Sequence, residues 1–135
     1  MSYKFIKKDR KLFLILDADL NGPILGKILN DLYSFEEQFD EFPDRFISLA
    51  KLENVSLNFN EILREAQDRR LYDLPNKIKA AYYAPSDHQF GLSNEAMNLV
   101  RNPNIEIEVF RDIRDAADWL GWDYDECCDV IEKEE

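Results

Sequence analysis

The sequence predicts an α/β domain built on a mixed, mostly parallel sheet, with its elements in the order β-β-α-β-α-β-α-β-α. Three observations point there. The continuous apolar run Leu12-Phe13-Leu14-Ile15-Leu16 reads as a strand buried on both faces. Ile24, Ile28, Leu32, Phe35 and Phe39 follow it at helical spacing. Strand-like and helix-like segments then alternate as far as Leu120, the pattern of a parallel sheet closed by crossover helices.

Each element has its own warrant. Tyr3 and Phe5 alternate with Lys4 and Ile6 in a first short strand, which Lys8-Asp9-Arg10-Lys11 turns into the second. Asp17-Ala18-Asp19-Leu20-Asn21-Gly22-Pro23 is expected to end that strand and open a helix over 23–40. Phe46, Ile47, Leu49 and Leu52 mark a third strand from Arg45 to Leu52. Asn58 and Glu61 make a near capping box for a helix ending near Tyr72. Ile78 to Ala84 reads as a buried strand, and Ser86 with Gln89 as an S-x-x-Q capping box before Phe90, Met97 and Val100. Ile105, Ile107 and Val109 alternate with Glu106, Glu108 and Phe110, as a half-exposed strand does. Asp112 caps the helix of Ile113, Ala116, Ala117 and Leu120, and Gly121 stops it.

Composition narrows the class. A chain of 135 residues suits one domain and can bury a core without a disulfide or metal staple. Nine Phe, six Tyr and two Trp supply that core. No apolar run approaches the roughly 18 residues of a membrane span, and the basic start lacks the apolar stretch of a signal peptide. With two adjacent cysteines and no disulfide framework, the expectation is a cytoplasmic protein. The formal net charge of −11 disfavours nucleic acid as a partner. That charge is uneven: residues 1–11 carry +4 and residues 123–135 carry −6. The domain is therefore expected over 1–122, with 123–135 an acidic tail or short helix. Acids at a helix C-terminus oppose its dipole, so the run ending Glu132-Lys133-Glu134-Glu135 is expected to fray and the fold not to need it.

The motifs that could carry chemistry each fall short. Asp17-x-Asp19-x-Asn21-Gly22 begins like an EF-hand loop, but Ile28 stands where calcium needs a bidentate Glu, and the segment before it reads as strand. Asp17 and Asp19 also invite comparison with a phosphorelay receiver, yet Leu52-Glu53 and Phe110-Arg111-Asp112 supply neither its phosphoacceptor nor its lysine. Cys127-Cys128 lacks metal-site spacing and further ligands, and Asp125, Glu126 and Asp129 disfavour a thiolate there. Ser86, Asp87 and His88 are triad residue types, but neighbours at a helix start point apart and cannot relay a proton. Four scattered glycines make no phosphate loop. No metal site and no cofactor is expected, and an enzyme is the least favoured class.

The segments Arg45-Phe46-Ile47-Ser48-Leu49-Ala50, Leu52-Glu53-Asn54-Val55-Ser56-Leu57, Lys79-Ala80-Ala81-Tyr82-Tyr83-Ala84 and Phe90-Gly91-Leu92-Ser93 lead to a closing pattern. That pattern is Val109-Phe110-Arg111-Asp112 followed by Ala116-Ala117-Asp118-Trp119-Leu120. Together they resemble the STAS-like family that includes SpoIIAA-like proteins, over about the last two thirds of the domain. The resemblance implies helices packed mainly on one face of the sheet and a regulatory role in binding a protein or small ligand. In the phosphorylated members a serine opens the helix after the third strand. Here Ser56 falls before the expected cap, and Asn58 or Phe59 holds the matching place.

Two readings of function follow. The first is a non-catalytic binding module whose partner surface is Ser56, Asn58, Phe59, Asn60, Ser86, Asp87 and His88. The second is a small-molecule or lipid carrier with a pocket of Tyr82, Tyr83, Phe90 and Met97 between sheet and helices. Oligomeric state stays open, a homodimer included.

Overall fold

The computed structural model describes residues 3–38, 41–56, 76–91 and 104–133. Two strands, β1 (Tyr3–Lys8) and β2 (Lys11–Asn21), lead into helix α1 (Gly22–Glu36). Strands β3 (Arg45–Ser56), β4 (Ile78–Tyr83) and β5 (Ile105–Phe110) follow, and helices α2 (Ile113–Leu120) and α3 (Tyr124–Lys133) close the chain. Residues 87–91 are also helical. The strands form one sheet in the order β1-β2-β3-β4-β5, antiparallel between β1 and β2 and parallel elsewhere.

The β1–β2 hairpin turns at Asp9, whose φ of 53° lies in the left-handed region that Asp tolerates better than most residues. All five residues of Leu12–Leu16 are buried, as the apolar run predicts. Alternation divides them between two cores, because successive strand residues face opposite sides of a sheet. On one face Leu14 and Leu16 join Ile28 of α1, Ile47, Leu49, Leu52, Ala80 and Ala84. On the other, Phe13 and Ile15 join Phe46 and Ala81 beneath Ala116, Ala117 and Leu120 of α2 and Cys127, Val130 and Ile131 of α3.

This second core corrects two expectations. Helices cover both faces of the sheet, since α1 lies against one and the α2–α3 pair against the other. Residues 124–133 are helical and belong to the core: Cys127 is fully buried, Val130 is 4% exposed and Ile131 6%. Of the two readings of 123–135, the helix is the observed one, and the fold uses it. Burying three apolar side chains outweighs an unfavourable end charge, about 1.5–3 kcal/mol for each large one against about 0.3–1 kcal/mol.

The polar run after Leu16 also departs from expectation. Strand β2 continues to Asn21 because β3 continues beside it, with Asp17↔Lys51, Asp19↔Asn54 and Asn21↔Ser56 in register across two irregularities. Asp17 and Asp19 are exposed strand residues, not ligands converging in a loop. Only Asn21 acts as a terminus, its Oδ1 accepting the Ile24 N–H at 3.0 Å to start α1. Helix α1 ends at Glu36, and Phe39 lies outside the described residues. The α2 boundaries match the sequence reading. Asp112 Oδ1 accepts the Asp115 N–H at 2.8 Å, and Gly121 closes the helix at φ 74° while the Trp122 N–H reaches the Ala117 carbonyl at 2.9 Å.

Candidate functional site

Parallel pairing brings distant parts of the chain to one edge. Tyr83 lies opposite Phe110, and the Ala84 N–H continues the ladder to the Phe110 carbonyl at 2.9 Å. The segments leaving β4 and β5, residues 84–91 and 111–115, therefore emerge side by side at the C-terminal ends of the strands. Open parallel sheets place their ligand sites at this end.

The β4 exit is built by the capping box. Ser86 Oγ accepts the Gln89 N–H at 3.2 Å, and Gln89 Oε1 accepts the Ser86 N–H at 3.3 Å. Gln89 does more than cap. It is buried, and its amide donates to the Leu52 carbonyl at 3.0 Å and the Ala50 carbonyl at 3.5 Å. Strand β4 pairs with β3 only as far as Ser48↔Tyr83, so the Gln89 amide takes over where the backbone ladder stops. This docking holds Ser86, Asp87 and His88 on the surface, all three exposed.

Arg111, at the β5 exit, crosses to the same surface. Its guanidinium donates to Asp87 Oδ1 at 2.7 Å and lies 5.2 Å from the Phe90 ring centroid. The pair is open to solvent, so its net contribution is small; it marks where the two exits, already set side by side by the β4–β5 ladder, meet.

Round the edge, on the face covered by α2 and α3, lies an open cleft of about 460 Å³ lined by Tyr83, Asp112, Ile113, Arg114, Asp115 and Tyr124. Its aromatic walls are half-buried, and the Arg114 guanidinium lies 4.1 Å from the Tyr124 ring centroid. The Tyr83 phenol is pushed above its ordinary value by burial and by the charges of Asp112 and Cys128. Repulsion from Asp112 raises the Asp115 carboxyl. Tyr124 is raised chiefly by its hydrogen bond with Cys128. Among the described residues no group of three or more His, Cys, Asp or Glu is placed to hold a metal ion.

The sequence-derived surface is thus brought together in part. Ser86, Asp87 and His88 share one exposed stretch, and Ser56 ends β3. Asn58, Phe59, Asn60 and Met97 lie outside the described residues, as does the Asn58–Glu61 capping box. The carrier pocket is corrected. Tyr82 and Phe90 pack on the α1 face, whereas Tyr83 packs on the α2–α3 face with Phe110, Ile113 and Tyr124. Neighbours in a strand cannot line one pocket. Sequence reasoning missed Arg111 as a surface link and Arg114, Asp115 and Tyr124 as cleft residues; Arg111 reaches Asp87 only once β5 is set beside β4, and Tyr124 reaches Arg114 only once α3 folds back on α2.

The described helices include none long and apolar enough to cross a membrane. No family model matches the chain, and no curated protein matches it. Among solved structures it is similar to an uncharacterised protein of the DUF3478 family, with a SpoIIAA-like fold, from Shewanella loihica PV-4. The TM-score is 0.53 at 16% sequence identity, over 87% of this chain and 91% of that one. At that identity the likeness speaks for architecture alone. The antiparallel β1, the four parallel strands beside it and the helices on the sheet make this a SpoIIAA-like fold.

Proposed function

We propose that this chain is a non-catalytic STAS-like binding module for regulatory protein–protein recognition, meeting its partner at the C-terminal ends of β4 and β5. One observation carries the reading: Ser86, Asp87 and His88 are displayed at that edge and tied to Arg111 of the neighbouring exit by the 2.7 Å ion pair. Helix 87–91 is anchored beneath by the buried Gln89, so the surface is presented on a fixed base. The serine-switched route used by phosphorylated relatives is not part of the reading, since Ser56 is the last residue of β3.

A photo-crosslinking residue at position 88, tested in native lysate, checks it. The expected outcome is a discrete adduct that Arg111→Glu abolishes, with no equivalent from position 8, which lies at the opposite edge of the sheet. Equal adducts from both positions, or none from 88, would overturn it. A second reading, a small-molecule carrier, rests on the aromatic walls that Tyr83 and Tyr124 give this cleft, which is open to solvent rather than enclosed. Native mass spectrometry separates the two: a retained metabolite mass supports the carrier.

A further inference from the structure

We infer that the cleft between Tyr83 and Tyr124 receives a cationic side chain, from a basic segment of the protein partner. This rests on the protein-recognition reading and names the chemistry the partner must present.

The make-up of the cleft suits a cation. Tyr83, Ile113 and Tyr124 give apolar and aromatic walls, and Asp112 and Asp115 add carboxylates. An anionic ligand would meet both carboxylates, and a neutral apolar one would leave them facing it. A guanidinium or ammonium meets ring faces and carboxylates together.

A cation of the chain itself is already seated in the cleft. Arg114 lies over Tyr124 at 4.1 Å, so the ring face accepts a guanidinium in this geometry. Arg114 is itself exposed, and it is the lone cation among the lining residues. It occupies the place of the incoming group and can swing into solvent when that group arrives.

Electrostatics points the same way. The titrations of Tyr83 and Asp115 are displaced towards their neutral forms, in part or mainly by Asp112. Around Tyr83 and Asp115 the field therefore opposes further negative charge, while Arg114 acts in the opposite sense at Tyr124. Helix α3 extends that negative field, with Asp125, Asp129 and Glu132 exposed. Position in the fold agrees as well, because Tyr83 ends β4 and Asp112 follows Arg111 directly after β5, at the strand ends.

The test uses the full chain, labelled with nitrogen-15, and an acetylated, amidated tri-arginine peptide. Its tri-citrulline counterpart, of the same shape without charge, is the control. Tri-arginine is expected to shift the amides of residues 112–115 and Tyr124 saturably, and tri-citrulline to leave them unmoved. Asp115→Asn, which keeps the backbone N–H that Asp112 caps, is expected to weaken binding about two- to fivefold. Arg114→Gln removes the internal competitor and is expected to tighten it about two- to fivefold.

Three results would overturn the inference. One is equal shifts from tri-citrulline, another is shifts spread over α1 with no saturation at the cleft, and the third is weaker binding by Arg114→Gln. If tri-arginine fails while the adduct from position 88 still forms, the cationic cleft is wrong and protein recognition stands. If both fail, both readings fall.

Discussion

Ile131 offers the sharpest test of how this fold is held. Its side chain is 6% exposed and packs with Phe13, Phe46 and Val130 in the core beneath α2 and α3. Ile131→Ala removes most of that side chain from a site walled by the sheet on one side and α2 on the other, so little can collapse into the gap. Large-to-small substitutions of this kind cost about 2–5 kcal/mol. Urea unfolding of a small domain has a slope of about 1–3 kcal/mol per molar. A loss of about 3 kcal/mol therefore lowers the midpoint by about 1–3 M. Trp119 and Trp122 lie in the same cluster and report the transition by fluorescence. Ending the chain after Trp122 removes Cys127, Val130 and Ile131 together and takes the α3 side from the core that holds Phe13 and Phe46, leaving only α2 and Trp122 over it. The loss is then on the order of 5 kcal/mol, comparable with the whole stability of many domains. The truncated chain is expected to lack a cooperative transition. A truncated chain that unfolds within a few tenths molar of the full-length midpoint would refute the reasoning, and so would an unchanged midpoint for Ile131→Ala.

Other expectations are independent of that one. Gln89→Leu leaves the Ala50 and Leu52 carbonyls without their amide donor and is expected to cost about 1–3 kcal/mol in the same urea assay. Two glycines should respond with opposite signs although an added Cβ meets no atom within 4 Å at either. Gly26→Ala, inside α1, is expected to raise stability by about 0.5–1 kcal/mol, and Gly121→Ala, at φ 74°, to lower it by about 1 kcal/mol. Melting temperatures of the two variants check the pair. Burial, with a smaller push from Glu126, raises the Cys127 thiol from 9.0 to about 11. The unfolded chain thus ionises this thiol first, and the stability it supports is complete below about pH 9 and lost as pH rises through about 11. The loss is about 2–3 kcal/mol at 1.36 kcal/mol per unit. Urea midpoints at pH 8.5 and 10.5 should fall further for the parent than for Cys127→Ala, and an equal fall in both would contradict the assignment.

The sheet was legible in the sequence because its signals are local. The run Leu12–Leu16, the alternation of Ile105, Ile107 and Val109, the Ser86–Gln89 box, and Asp112 with Gly121 all identify their elements from neighbouring residues. Helix α3 looks dispensable in the sequence because end charge is visible there and burial partners are not. Phe13 and Phe46 lie far from Ile131 in the chain and meet it only in three dimensions. The length of β2 was hidden for a similar reason: Asp17 and Asp19 look like a turn until β3 is placed alongside. Tyr82 and Tyr83 are consecutive in a strand, so they had to face opposite sides. The cleft was beyond reach, since Tyr83, Asp115 and Tyr124 are joined by strand order and by the course of the chain from α2 into α3.

The two-sided core also sets an order of events when the chain is made. Strands β1, β2 and β3 with α1 can associate as soon as Ser56 has emerged, and they hold much of one core among themselves. The opposite face, with Phe13 and Phe46, is covered later, by α2 and Trp122 and then by α3, and is complete only when Ile131 has been added. At synthesis rates of about 5–20 residues per second, that interval is on the order of ten seconds. During it the nascent sheet presents an aromatic surface to whatever lies nearby. The last helix therefore closes the fold and also ends its period of greatest exposure to aggregation and to chaperones.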